Sequence, residues 1–328
     1  MTNGDSFEPV RLPARDIPPP TTISEQARAL LSEGALGPAP GWPPAGDLAA
    51  WRQAIAESTA LWEEVAAGVL AGSPSPVETR AIGGVTCHVA TPPGLGAGGP
   101  LYLFIHGGAF VFGGGPYAKA QAAMQTDRLG VSTVSVDYRM PPDHPFPAAP
   151  EDCFAVYKAL IEAHDPARIV IGGSSAGGDL AAVLILMIRD RGLPMPAGVV
   201  LLTPVVDLTE AGDSFQTNAL LDVTLKGTMD NCNALYAAGH DLTDPYLSPL
   251  YGDLDGFPPT LVQTGTRDIL LSGSVLIHRK LRQAGVEAEL HVWEAMPHGG
   301  FGPFGSGDAP ENREIEQEVR RFIARHAG

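Results

Sequence analysis

Cysteine is scarce in this 328-residue chain: Cys87, Cys153 and Cys232 stand at wide spacing and form no CxxC pair. An odd, dispersed set excludes a disulfide framework and a thiolate cluster, and reads as free core thiols of a reducing compartment. Basic residues are also few, 21 Lys and Arg against 37 Asp and Glu, for a formal net charge of −16. With no Lys/Arg cluster to neutralise phosphates, nucleic acid is excluded as a partner. Long apolar runs are missing too. The longest, Leu180 to Ile188, is about half the length of a membrane span. The start, MTNGDSFEPVRLPARD, has no apolar core of a signal peptide, so a cytoplasmic protein with no membrane span is expected.

Cofactor signatures are lacking as well. The histidines include no HExxH and no tight cluster with Cys or Asp, so no metal is expected. Gly94-Leu95-Gly96-Ala97-Gly98-Gly99 satisfies GxGxxG, but it precedes a strand pattern instead of joining strand to helix, which excludes a dinucleotide site. No lysine lies between Lys158 and Lys226, so the glycine-rich stretch at 172–178 is not a phosphate loop of the GxxxxGK[ST] type. No cofactor is expected.

What is present is a Gly-x-Ser-x-Gly pentapeptide, Gly173-Ser174-Ser175-Ala176-Gly177. The β-branched Arg168-Ile169-Val170-Ile171 before it reads as a buried strand, and Leu180 to Ile188 after it as a buried helix. A serine pinned between the two needs a turn so tight that glycines must flank it, and the turn aims the following helix N-terminus at the hydroxyl. Centring the motif on Ser174 puts Ala176 where the second glycine belongs, so Ser175 is the candidate nucleophile.

A serine hydroxyl needs an imidazole to take its proton, and the imidazole needs a carboxylate to fix its tautomer. Both partners follow in the order Ser, acid, His, each after a strand pattern. PPTLVQTG (258–265) is followed by Asp268, and AELHVWE (288–294) by Met296-Pro297-His298-Gly299-Gly300-Phe301. Asp253 and Asp255 precede their strand, at its wrong end, while Asp268 stands where aspartates also cap helices. His291 falls within a strand pattern and reads as a half-exposed strand residue. His298 lies past the strand end, where catalytic loops gather.

A fourth element is independent of these. The apolar strand Leu101 to Ile105 runs straight into His106-Gly107-Gly108-Ala109-Phe110, roughly 70 residues upstream of the serine. Glycines let backbone amides approach the oxyanion that develops in ester hydrolysis. Gly107 and Gly108 are the upstream oxyanion donors, and the amide of Ala176 is the other. Phe110 and Phe112 beside this loop, Ser174 beside the nucleophile, and Phe215 further on are candidate pocket residues.

Together these motifs resemble the hormone-sensitive-lipase family of α/β-hydrolases, the bacterial family IV esterases. The resemblance rests on His106-Gly107-Gly108-Ala109, Asp137-Tyr138-Arg139 with His144-Pro145-Phe146-Pro147-Ala148-Ala149, the GxSxG around Ser175, Asp268-Ile269-Leu270, and His298-Gly299-Gly300-Phe301. It spans roughly residues 75–328 and implies a serine carboxylesterase in which His106 orients the oxyanion loop. Two departures stand out. Ser174 occupies a position where the family usually has Asp, and Asp268-Ile269-Leu270-Leu271-Ser272 replaces the usual Asp-Pro-Leu with a second acid.

The strand-then-helix alternation predicts an α/β fold with a mostly parallel sheet and helices on both faces. Strands are expected near 76–82, 84–91, 101–105, 132–137, 168–173, 198–203, 260–265 and 288–294, the eight usual for an α/β-hydrolase. Helices are expected at 117–129, 147–164, 176–191, 273–284 and 311–326. Two regions fall outside the sheet. Residues 1–70 are Pro-rich at first (Pro13, Pro18, Pro19, Pro20, Pro38, Pro40, Pro43, Pro44), with a tail at the very start. Helical patterns follow at Thr22–Glu33 and Asp47–Ala67. A mostly helical insert spans about 209–244. By resemblance these are two parts of a cap over the catalytic domain of 71–328. Trp42, Trp51, Trp62, Leu220 and Leu221 there read mainly as packing among cap helices. The expected partner is a small-molecule ester with a short-to-medium acyl chain, together with a second copy of the chain in a homodimer. A lactonase or acyltransferase uses the same residues. Non-catalytic relatives such as plant gibberellin receptors lack the triad histidine that this chain has at His298.

Overall fold

A computed structural model describes residues 9–35, 41–96, 98–302, 305 and 307–328. The expected tail at the start, Pro38, Pro40 and Ala97 of the glycine-rich loop lie outside the described residues. The chain builds an eight-stranded sheet from β1 (Val77–Ile82), β2 (Val85–Ala90), β3 (Leu101–Ile105), β4 (Ser132–Val136), β5 (Ile169–Ser174), β6 (Gly198–Leu202), β7 (Thr260–Gly265) and β8 (Ala288–Trp293). Their spatial order is β1-β2-β4-β3-β5-β6-β7-β8, with β2 antiparallel to both neighbours and every other pair parallel. The central strands LYLFI, IVIGG and GVVL are apolar without alternation because both faces are covered. At the edge, β1 turns into β2 through Gly83 and Gly84, whose φ of 59° and 83° make a two-residue hairpin turn.

Helices α1 (Glu25–Ala35) and α2 (Leu48–Gly72) precede the sheet, and α3 (Pro116–Leu129), α4 (Ala148–Leu160) and α5 (Ala176–Asp190) lie between its strands. The short α6 (Ser214–Thr217) and α7 (Asp230–Ala237) follow β6, and α8 (Leu271–Gln283) and α9 (Pro310–Ala327) follow β7 and β8. One face of the sheet is covered by α3 and α9, where Leu129, Val319 and Phe322 meet Tyr102, Val170 and Val200. The other is covered by α4, α5 and α8, where Val156, Leu184 and Ile277 meet Leu103, Ile171 and Val262. Truncating a fully buried leucine such as Leu184 to Ala costs about 2–5 kcal/mol. Among the described residues no helix is long and apolar enough to cross a membrane.

The 209–244 insert differs from expectation: its helices are only 4 and 8 residues long. Side-chain carboxylates take the backbone amides that a longer helix would use internally. Glu210 accepts from Met229 N, and Asp222 accepts from the amides of Thr224 and Leu225. Helix α1 packs Ala27 and Leu31 against Met296 and Phe301, so it abuts the loop that carries His298.

Candidate active site

Ser175 stands between β5 and α5 at φ 58°, ψ −122°, a strained conformation for a residue with a side chain. Steric necessity explains both flanking glycines. A Cβ on Gly173 would lie 2.0 Å from Gly177 O, and one on Gly177 would lie 2.0 Å from Ile105 O. The turn is held by Ser175 N donating to Leu202 O and by Gly178 N and Val205 N donating to Ser175 O.

The two other triad candidates meet although 30 residues separate them. His298 Nδ1 lies 3.1 Å from Asp268 Oδ1. A carboxylate only accepts, so Nδ1 carries the proton and the neutral ring keeps its lone pair on Nε2. Asp268 is fully buried. Its Oδ1 also accepts from Leu270 N, and Oδ2 accepts from Thr264 Oγ1 at 2.8 Å. Burial opposes the charged form of His298, but the hydrogen bond and charge of Asp268, with the charge of Asp222, outweigh it and raise the imidazole pKa. His291 sits on β8 beside Glu289, 3.4 Å away, and does not line the cavity; neither do Asp253 and Asp255.

The sequence reading missed Asp222. Its Oδ2 accepts from Ile269 N at 2.9 Å and from His298 N at 3.2 Å, so one buried carboxylate ties the acid loop to the histidine loop. Burial and the neighbouring charge of Asp268 push its pKa up to about 6. Asn218 assists: its Nδ2 donates to Asp268 O at 2.9 Å and to Thr266 O at 3.2 Å. Both residues come from the 209–244 insert, and the only sequence trace was an acid set between Leu221 and Val223. Carboxylate oxygens of Asp222 and Asp268 and a ring nitrogen of His298 lie within 4.8 Å of one another, a spacing also seen around metals. Here those atoms are joined by N–H and O–H donors.

His106 is fully buried, which lowers its pKa, and its neutral ring donates from Nδ1 to Gly107 O at 2.8 Å. The ring also stacks on Tyr138 with centroids 4.2 Å apart. This contact fixes the glycine loop. A Cβ on Gly107 would lie 3.2 Å from Ser175 Cβ, so the loop touches the elbow. Among the described residues, the amides of Gly107, Gly108 and Ala176 donate to no protein acceptor.

Ser175 and His298 line one cavity of about 720 Å³, together with Gly107, Gly108, Phe112 and Ser174. Two pocket candidates are corrected. Phe110 is fully buried and stacks flat on Tyr236 at 4.2 Å, so its ring is spent in the core. Phe215 is 8% exposed and faces a separate small cleft with Leu270 and Leu276. Of the residues expected in the cap, Trp42 and Trp62 line the cavity, Trp51 lies buried beneath Trp42, and Leu220 is exposed. Ser174 leaves no acid beside the nucleophile.

The chain matches the α/β hydrolase fold family over residues 102–301. It is 38% identical over 207 residues to an esterase of Acinetobacter venetianus, covering 60% of this chain and 66% of that protein. It is 32% identical over 242 residues to a carboxylesterase, NlhH, of Mycobacterium tuberculosis, covering 68% and 75%. The matches thus span about two thirds to three quarters of these relatives. Among solved structures, the esterase E25 superposes with a TM-score of 0.87 at 35% identity, covering 97% of this chain and 99% of E25. An esterase of the bacterial hormone-sensitive lipase family superposes at 0.79 with 30% identity, covering 93% and 99%.

Proposed function

Because this chain belongs to the α/β hydrolase fold family, we propose that it is a serine carboxylesterase that hydrolyses esters of short-to-medium acyl chains. The observation that carries the reading is the His298–Asp268 pair, hydrogen-bonded at 3.1 Å, opening on the same cavity as the elbow serine. Ser175 Oγ attacks the ester carbonyl while His298 Nε2 takes its proton. The carbonyl oxygen becomes an oxyanion, held by the free amides of Gly107, Gly108 and Ala176. Collapse expels the alcohol, which receives the proton from His298. Water then enters, loses a proton to the same nitrogen, and releases the acid and Ser175.

Asp268 keeps the ring in the productive tautomer and stabilises the imidazolium. Residues 1–70 and about 209–244 act as a two-part cap over the domain of 71–328, since Trp42, Trp62 and Leu225 supply one wall of the cavity. The decisive test is Ser175→Ala, expected to lower kcat/KM by about three orders of magnitude or more with an unchanged circular dichroism spectrum. Near-wild-type activity in that variant, or organophosphate labelling of a peptide outside 168–189, would refute the assignment.

A further inference from the structure

The wall of the cavity comes from two parts of the molecule. One part is the N-terminal segment and the insert, where Glu57 and Leu61 are exposed and Leu61 is 65% accessible. The other lies on the sheet face under α3 and α9, where Phe104, Leu129 and Val319 are buried. In a two-step ester hydrolysis the alcohol departs and water enters while the acyl group stays on the serine. The solvent-open part therefore serves the alcohol and the water, and the interior part holds the acyl group. This rests on the ester-hydrolase reading above.

That interior arm is not an oily slot. Gln121, Gln125, Gln263 and Thr203 all line the cavity and are at least nine-tenths buried. Gln125 donates to Gln121 at 3.1 Å. Among the described residues, two of these oxygens have no partner: Thr203 Oγ1 and Gln263 Oε1. Buried polar atoms without partners are rare, and each calls for an explanation. The orientation of Gln263 is fixed chemically, because its Nε2 donates to the carbonyl of Ile315 at 3.4 Å, which leaves Oε1 as the open end.

Thr203 directly follows β6, and Gln263 stands on the neighbouring β7. Thr203 N donates to Gln263 O at 2.7 Å, and Leu202, the residue before Thr203, accepts from Ser175 N. Thr203 thus stands next to the elbow, with Gln263 on the strand beside it. Thr203 also has φ 41°, a left-handed conformation unfavourable for a β-branched residue. Strain of this kind persists where surrounding structure enforces it, and it clusters at ligand sites.

An open acceptor and an open hydroxyl, carried by hydrogen-bonded neighbours that line one cavity, are the complement of another hydroxyl. Gln263 Oε1 accepts from it, and the Thr203 hydroxyl donates to it. We propose that the interior arm recognises a hydroxyl on the acyl chain, close to the scissile carbonyl, so that esters of short hydroxy acids are better substrates than alkanoate esters of equal length. A methylene in the same place leaves both oxygens without partners, and it displaces any water bridging them without replacing its hydrogen bonds.

The test compares ethyl 2- and 3-hydroxybutyrate with ethyl butyrate by proton release, using the full chain. The expected result is a kcat/KM at least about tenfold higher for one hydroxy ester, from the cost of leaving buried groups unpaired. Thr203→Val keeps the shape and removes the hydroxyl, and Gln263→Met removes the acceptor. Each should cut the hydroxy-to-plain ratio several-fold, and either variant alone suffices should the other not fold. A wild-type ratio near one overturns the proposal, as does a preference that survives both substitutions. So does a preference found only for a hydroxyl on the alcohol, measured with glycol monobutyrate against propyl butyrate. Ser175→Ala run alongside separates the failures. Activity that survives it sinks the ester-hydrolase site, whereas Ser175-dependent activity without discrimination sinks only the recognition of the hydroxyl.

Discussion

Replacing Asp222 with Asn removes a buried negative charge next to the imidazole while keeping the size of the side chain. A carboxylate oxygen of Asp222 and a ring nitrogen of His298 are within 4.8 Å. At an effective dielectric of about 20 that separation is worth at most about 3.5 kcal/mol. This is a ceiling, because Asp222, its pKa raised to about 6, is not fully ionised across the acid limb. The direction is fixed. Both Asp268 and Asp222 favour the imidazolium, so loss of one charge lowers the His298 pKa. Since the neutral ring is the proposed base, the acid limb of kcat/KM moves to lower pH. Plateau kcat falls up to about tenfold, because the imidazolium of the transition state loses the same stabilisation. Asn retains one acceptor oxygen where four amides once converged, so unfolding free energy should drop by about 1–3 kcal/mol. The assay is hydrolysis of a soluble nitrophenyl butyrate from pH 4.5 to 9, with urea denaturation as the fold control. An acid limb that stays where it is in the wild type, in a folded variant, refutes the electrostatic role.

Two further outcomes are expected. Asp179 is fully buried with neither oxygen bonded among the described residues, and burial holds its pKa well above the usual carboxylate value, which favours the neutral acid. A raised folded pKa means a stabilising contribution that is complete below about pH 4 and is lost as pH rises towards the folded pKa, at about 1.4 kcal/mol per unit. Asp179→Asn should therefore flatten the stability–pH curve between pH 5 and 8 and keep most activity; parallel wild-type and variant curves in urea would contradict this. The second outcome concerns chain length. Each methylene buried in an apolar site contributes about 0.8 kcal/mol, but one laid against Gln121, Gln125 or Gln263 returns less. Butyrate esters should accordingly exceed palmitate esters in kcat/KM under non-micellar conditions, and equal values would mean that the cavity opens into a long groove.

Much of this protein was fixed by local chemistry and so could be read from sequence. Parallel strands buried on both faces must be apolar throughout, which marks β3, β5 and β6. A serine at φ 58° must have small neighbours, and Gly173 and Gly177 announce it. Asp268 and His298 follow strand ends because the strands of such a sheet deliver their loops to one edge. None of these inferences required knowing which residues touch. What the sequence could not decide depended on contacts between distant segments. Asp222 acts on a histidine 76 residues away. No periodicity or spacing encodes that meeting; the insert must first fold onto the strand ends. Phe110 and Phe112 are two residues apart beside the same loop, yet one stacks in the core and the other faces the cavity. The insert read as helical because its residues suit helices. In place, its carboxylates found better partners in backbone amides than a continued helix offers. Composition and local geometry chose the sheet, the elbow and the candidate triad. Tertiary packing chose the supports of the triad and the polarity of the cavity, because burial decides what a polar side chain must bind.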